Sequence, residues 1–234
     1  GVNGQENSIY GSMVSSVDEN IGRVLEVLNE SNVTENTLII FTSDNGGLRA
    51  ISNQHPLRAG KGSYYEGGIR VPFFLRWPTK IDSGINKKTN VSHLDIYSTI
   101  QEIVNSKVRV KKLDGISLKS QFKAPSKLER DIFYHFPIYL EAYNKMEDHG
   151  RDPLFRTRPG SVIISDKWKL HHYFEDDGTE LYNLETDIGE SDDLSDKEPE
   201  ITIELKQKLN IWRLNNGAFI PNKKNLLYDP NYID

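Results

Sequence analysis

The run from Asn36 to Phe41, Asn-Thr-Leu-Ile-Ile-Phe, is apolar on both faces, β-branched at its centre, and stops abruptly at Thr42-Ser-Asp-Asn-Gly-Gly47. A strand that is apolar all round belongs in a sheet covered on both sides, as parallel strands under helices are. An amphipathic helix precedes it. Ile9, Met13, Val14, Val17, Ile21, Val24, Leu25 and Leu28 recur three and four residues apart, with Asp18, Glu19, Arg23 and Glu26 between them. Helix followed by buried strand predicts an α/β sheet, and in such sheets ligands bind outside the carboxyl ends of the strands, which is where Asp44 and Asn45 fall.

Both side chains offer hard oxygen, which suits Ca2+ or Mg2+ better than softer metals. Neighbouring strand residues point to opposite faces, so both reach one ion only if the backbone leaves strand geometry. Gly46 and Gly47 permit that departure. The competing reading is a plain turn, since Asn-Gly is a strong hairpin signal. No alternating strand follows it, and the residue types alone leave both readings open.

A second strand-like run, Val71 to Trp77, has Pro72 near its start, where a missing N–H is best tolerated. The segment between the two runs is long, irregular and rich in Gly, Arg, Lys and Tyr, a kind of loop that usually carries function. Lys61 stands there between Gly60 and Gly62. A phosphate-binding P-loop requires Gly at 55 and Ser or Thr at 62, where this chain has His55 and Gly62, so a nucleotide site is excluded. A lysine on a glycine-flanked loop still offers a point charge to an oxyanion; the bland alternative is a solvated surface lysine. Glu66 and Arg70 have the spacing to pair across Gly67 and Gly68 and hold the loop, with Tyr64 and Tyr65 packed beneath Lys61.

Ser92 and Asp95 stand in capping-box spacing before Leu94, Ile96, Ile100, Ile103 and Val104, which predicts a helix of about three turns, with His93 and Asp95 as part of its start. Beyond about Lys123 the chain turns to aromatic and β-branched runs, with Asp177-Gly178 marking a hairpin turn. Pro199 then opens a helical pattern through Ile203, Leu205, Leu209 and Trp212. The expected organisation is an α/β portion over residues 1–123, part of a large mixed sheet flanked by helices, and a smaller antiparallel α+β subdomain over 124–234. His171 and His172 are strand neighbours, face opposite ways, and read as hairpin surface.

Composition removes several function classes. The chain has 234 residues, 36% of them hydrophobic and 27% charged, which separates it from disordered sequences and allows one large or two small domains. A net charge of −5 provides no basic footprint for nucleic acid. The absence of cysteine excludes disulfides, thiolate zinc sites and a cysteine nucleophile within this chain. No apolar stretch approaches the roughly 20 residues of a membrane span, and the segment Gly1 to Ser8 lacks the apolar core of a signal peptide.

In their order, the first helix (Tyr10–Leu28), the strand and site Asn36–Gly47, the loop Leu57–Pro78, the helix Ser92–Val104 and the hairpin Trp168–Glu190 resemble the landmarks of sulfatases of the alkaline phosphatase superfamily. The resemblance spans nearly the whole chain. It implies an alkaline phosphatase-like fold and hydrolysis of a sulfate monoester, of a carbohydrate or an aryl sulfate. It further implies that Asp44 and Asn45 ligate Ca2+ in preference to Mg2+, that Lys61 binds the sulfate and serves catalysis, and that His135 lies near a substrate-contacting position, against the alternative of a structural histidine. Such enzymes use a formylglycine made from Cys or Ser in a C/S-x-P-x-R motif, with an Asp pair completing the metal shell. Neither occurs here. Lys123-Ala-Pro-Ser-Lys127 is a decoy, with Lys in place of both the nucleophile and the Arg. The expectation is therefore the C-terminal half of a sulfatase, binding metal weakly and inactive alone, since two ligands do not fill the six to eight oxygen positions Ca2+ prefers. The substrate expectation is a sulfate ester, including sulfated glycans, and the location periplasmic or extracellular. The alternatives are a phosphodiesterase or phosphonate hydrolase of the same superfamily, which Asn45 in place of a histidine disfavours, and a non-catalytic protein that binds sulfated glycans.

Overall fold

The computed structural model describes residues 6–84, 89–105, 112–123, 128–142, 149–151 and 153–223. The decoy segment 124–127 lies outside the described residues. Along the chain run α1 (Ser8–Glu30), β1 (Ile39–Thr42), α2 (Glu66–Ile69), β2 (Phe73–Arg76), α3 (Leu94–Ile103), β3 (Asp131–Phe136), β4 (Leu140–Glu141), β5 (Phe155–Thr157), β6 (Gly160–Ser165), β7 (Trp168–Tyr173), β8 (Thr179–Asn183) and α4 (Pro199–Asn216). They divide into two units. One comprises residues 1–45 and 70–132, the other 46–69 and 133–234.

In the first unit α1 forms as predicted and starts on Asn7, whose side chain accepts the Tyr10 N–H at 2.9 Å. None of its residues is buried, and Ile9, Met13, Val14, Val17 and Val24 are exposed. The expected buried, parallel-type strand differs too. β1 pairs antiparallel with β2, Ile39 opposite Arg76 and Thr42 opposite Phe73, and none of its residues is buried. Continuous apolar sequence marks a strand with two coverable faces, and it does not by itself fix the direction of the neighbour. α3 begins where the capping-box spacing placed it, and Asp95 accepts the Ser92 N–H at 2.7 Å. That carboxylate is fully buried and grips Arg130 through two bonds, Nη1 to Oδ1 at 2.7 Å and Nη2 to Oδ2 at 2.6 Å.

The second unit is built on a four-stranded sheet in the order β3-β6-β7-β8. β6 pairs with β7 and β7 with β8 antiparallel, and β4 and β5 form a separate antiparallel pair. Alternation along the strands creates two working faces. Ile163, Leu170 and Leu181 lie side by side in register and pack with Leu205 and Leu209 of α4. Each of these fully buried side chains contributes about 1.5–3 kcal/mol relative to exposure. Phe133 stacks on Trp212 at 5.0 Å to close that core. α4 opens on Pro199 and ends on Gly217, whose φ of 58° supplies the left-handed cap. The opposite face carries Lys169, His171 and Tyr173, alternating with Trp168, Leu170 and His172 along β7. His171 and His172 do face opposite ways, but both are buried, which corrects the expectation of an exposed hairpin surface. Each ring has a partner that offsets its desolvation: Glu190 for His171 at 3.2 Å, Asp177 for His172 at 2.7 Å.

Candidate active-site segments

β1 ends at Thr42, and the next three residues form a tight turn. Ser43 Oγ donates to the Asn45 carbonyl at 3.0 Å, and Asn45 N–H donates to Asp44 Oδ1 at 2.9 Å. His93, at the start of α3, places Nε2 2.7 Å from the Ser43 carbonyl. A carbonyl only accepts, so this nitrogen carries the proton. The sequence predicts for His93 only a part in starting the helix; its role in pinning the turn follows from a contact fifty residues apart in the chain, which no local pattern announces.

Asp44 is exposed and Asn45 half-buried. As metal ligands they fit in kind. Both are hard oxygen donors, and Asp44 Oδ2 makes no hydrogen bond with the described residues. They do not fit in number, and no group of three or more His, Cys, Asp or Glu among the described residues is arranged to hold a metal ion.

The second unit shows why glycine follows Asn45. Gly46 N–H donates to the Gly68 carbonyl at 2.9 Å, and a Cβ on Gly46 would lie 1.7 Å from the Gly67 carbonyl oxygen. A side chain at Gly46 would separate two backbones in direct contact. Lys61 N–H then donates to the Gly47 carbonyl at 2.9 Å, and Arg156 Nη1 reaches the Lys61 carbonyl at 3.3 Å. Gly62, at φ 89°, turns the chain away. Lys61 is thus fixed by its backbone, while the side chain is exposed and makes no hydrogen bond or ion pair with the described residues.

Beneath this loop lies a buried polar layer. Lys169 Nζ stands 2.9 Å from both Glu66 Oε1 and Glu190 Oε1, and Glu190 Oε2 accepts the Glu66 N–H at 2.5 Å. The sequence suggested Arg70 as the partner of Glu66; the ion pair seen here is with Lys169. Burial pushes the Glu190 carboxyl up, but the Lys169 ammonium and the His171 hydrogen bond outweigh it and hold it at about 2. Beside it, Tyr65, Tyr173 and Tyr182 all donate to Glu180 Oε2, at 2.6, 3.2 and 3.1 Å. Burial raises all three phenols, so they remain donors at neutral pH. Tyr64 packs with Tyr134 and Phe136, each at 5.8 Å between rings. His135 has both ring nitrogens engaged, with Ser161 Oγ and with the Phe219 carbonyl, each at 2.8 Å. That arrangement is what a structural histidine requires.

Two family models match the chain: Sulfatase over residues 3–106, and N-sulphoglucosamine sulphohydrolase, C-terminal, over residues 60–215. The chain belongs to the sulfatase family. A relative from Formosa agariphila described as a sulfatase is 34% identical over 89% of this chain and 40% of its own length. The crystal structure of Ps i-CgsB in complex with k-i-k-neocarrahexaose superposes with a TM-score of 0.73 at 29% identity, covering 92% of this chain and 45% of that one. BT4656 in complex with its substrate D-glucosamine-2-N,6-O-disulfate gives 0.68 at 25% identity, covering 91% and 41%. The fold is therefore that of the sulfatases of the alkaline phosphatase superfamily, as the sequence predicted, and the chain spans about two fifths of the length of curated relatives that it matches over most of its own length.

Proposed function

We propose that this chain supplies part of the active site of a sulfuric ester hydrolase that acts on a sulfated glycan. The observation that carries the reading is the fixation of Lys61: its N–H is bonded to the carbonyl of Gly47, within the conspicuous acid-amide-glycine run, and its ammonium is presented to solvent without a protein partner among the described residues. A cation held this way offers charge to the non-bridging oxygens of a sulfate without reorganising when they become more negative. Lys61 is assigned that role. Asp44 and Asn45 are assigned to a Ca2+ ion, which when bound withdraws charge from the sulfate oxygens; the nucleophile is assigned to a formylglycine outside this chain. The neocarrahexaose bound to one related structure and the disulfated glucosamine named as the substrate of another support a sulfated sugar in place of an aryl sulfate. The same reading puts the protein in the periplasm or outside the cell, where polymeric sulfated glycans are met.

The test is sulfate release by the complete gene product from sulfated oligosaccharides, with and without a calcium chelator. Lys61→Ala should lower turnover by about 100-fold or more, the scale of losing one oxyanion-stabilising group, with an unchanged melting curve. A rate within a few-fold of wild type would remove Lys61 from the reaction.

A further inference from the structure

Glu190 is fully buried in a turn whose next residues, Ser191 and Asp192, are exposed. Asp187 shapes that turn by accepting from Ser191 N–H, Ser191 Oγ and Asp192 N–H at 2.8–2.9 Å, and within it Glu190 adopts φ 52°. The left-handed region favours glycine, and among other residues Asn, Asp and His enter it most readily. Among the described residues with positive φ, all but Ala59 and Glu190 are Gly, Asn, Asp or His. A strained backbone persists only where its surroundings over-determine it.

The surroundings of Glu190 are the two ends of the loop that carries Lys61. On the entering side, its carbonyl accepts from Nη1 of Arg58, three residues before Lys61, at 2.9 Å, and a Cβ on the adjacent Gly189 would lie 2.9 Å from the Pro56 carbonyl oxygen. On the leaving side, Glu190 Oε2 accepts the N–H of Glu66, five residues after Lys61, at 2.5 Å. Its Oε1 stands 2.9 Å from Lys169 Nζ and 3.2 Å from His171 Nε2. Between these points the loop closes on itself, Gly67 N–H donating to the Arg58 carbonyl at 2.8 Å and Ser63 N–H to the Gly60 carbonyl at 3.0 Å. Main chain and side chain of one residue thus hold both ends of one loop, and these bonds are the constraints that keep Glu190 left-handed.

We propose that Glu190 is a positioning residue for Lys61: it clamps the loop 58–66 at both ends and so fixes the direction in which the Lys61 ammonium is presented to the sulfate. The sulfate role of Lys61 rests on the proposed function; the clamp on its loop does not. Being fully buried, Glu190 acts through the loop and not on the substrate. Against the upward push of burial, the Lys169 ammonium and the His171 hydrogen bond keep its carboxyl ionised, so the Glu66 N–H meets a charged acceptor at neutral pH.

The experiment follows amide hydrogen exchange at Lys61 in the full 234-residue chain by NMR, against exchange in β6 and β7, for Glu190→Gly, Glu190→Gln and Arg58→Met. Glycine suits the left-handed backbone and keeps the carbonyl for Arg58 while removing the carboxylate end of the clamp. Glutamine loses the same charge but keeps an oxygen for the Glu66 N–H. Exchange at Lys61 should rise about tenfold or more in Glu190→Gly, the scale of one hydrogen bond to a charged group, with β6 and β7 moving less, and Glu190→Gln should restore most of the protection. An equal rise at Lys61 and in the sheet, or equal exchange in the Gly and Gln variants, overturns the clamp. Should Glu190→Gly not fold, Arg58→Met, which cuts the entering end alone, decides by the same ratio. In the complete gene product, Glu190→Gly should lower kcat about tenfold or more with little change in KM, and the Glu190→Gly/Lys61→Ala double variant should lose no more than Lys61→Ala, because the two residues act as a unit. Losses that multiply refute positioning through Lys61. If Lys61→Ala alone leaves turnover within a few-fold of wild type while the exchange result holds, the clamp stands and the sulfate assignment of Lys61 falls.

Discussion

Replacing Lys169 by Met tests the buried charge layer under the site loop. Met matches Lys closely in length and needs little repacking, so the effect isolates the ammonium. Lys169 is fully buried with Nζ 2.9 Å from two carboxylates, and its loss leaves Glu66 and Glu190 without that cation in a desolvated place. Breaking a buried pair from one side costs about 3–5 kcal/mol, which for a chain of this size is a melting shift of about 6–20 °C. The pH dependence gives a second signature. Glu190 is held at about 2 against its ordinary 4.5. A depressed carboxyl stabilises the fold fully above 4.5 and loses that contribution as pH falls toward 2; the gap corresponds to about 3 kcal/mol. In Lys169→Met the larger source of the depression is gone and only the His171 contribution is left, so the two stability curves should lie furthest apart near pH 7 and converge between about 4.5 and 2. Urea unfolding followed by the emission of Trp168 and Trp212, both packed at the core of this unit, reads it directly. Adding Glu190→Gln to Lys169→Met should recover part of the loss, since the amide oxygen still accepts the Glu66 N–H. A loss under about 1 kcal/mol at pH 7, or a gap that stays constant through the acid limb, would refute the reasoning.

Asp95→Ala should cost the first unit about 3–5 kcal/mol, because Arg130 loses a two-bond partner while the N–H groups of Ser92 and Ile116 lose their acceptor; Trp77 emission during urea unfolding measures it, and a loss below 1 kcal/mol contradicts the assignment. His172 should titrate below 6.5 in an NMR pH series, since burial lowers it and the nearby Arg213 and Lys206 charges add to that against the pull of Asp177. A lowered histidine makes stability fall as pH drops below 6.5, and a titration at or above 6.5 would show that Asp177 dominates.

Much of the fold was legible. The helical periods of α1, α3 and α4, the Ser92–Asp95 spacing and the Asp177-Gly178 turn are local signals, and each sits where local physics put it. What was not legible depends on distant partners. The direction of β2 beside β1 is not encoded in apolar content, because either pairing buries the same residues. The burial of His171 and His172 could not be read from β7 alone: polar residues in a strand suggest solvent until Glu190, nineteen residues beyond His171, and Arg213 on α4 are known to meet them. Lys169 is a parallel case: lysine is ordinarily a surface residue, and its neighbours here make it core.

The site segments show the same division. Residue types draw attention to Asp44, Asn45 and Lys61 but leave a plain turn and a solvated lysine open; the resemblance to sulfatases gives them their roles, and those roles are proposals. Their support was hidden. His93 holds the turn through a single proton on Nε2, and the glycines prove to be less a licence for unusual dihedrals than a requirement for contact, with Gly46 lying against Gly67 and Gly68 so closely that no side chain fits. The loop that carries Lys61 is fixed above by that backbone contact and below by the pairing of Glu66 with Lys169. A sheet residue with no view of solvent thereby bears on where an exposed lysine is held, and the thermodynamics of β7 and the placement of the Lys61 backbone are expected to be perturbed together.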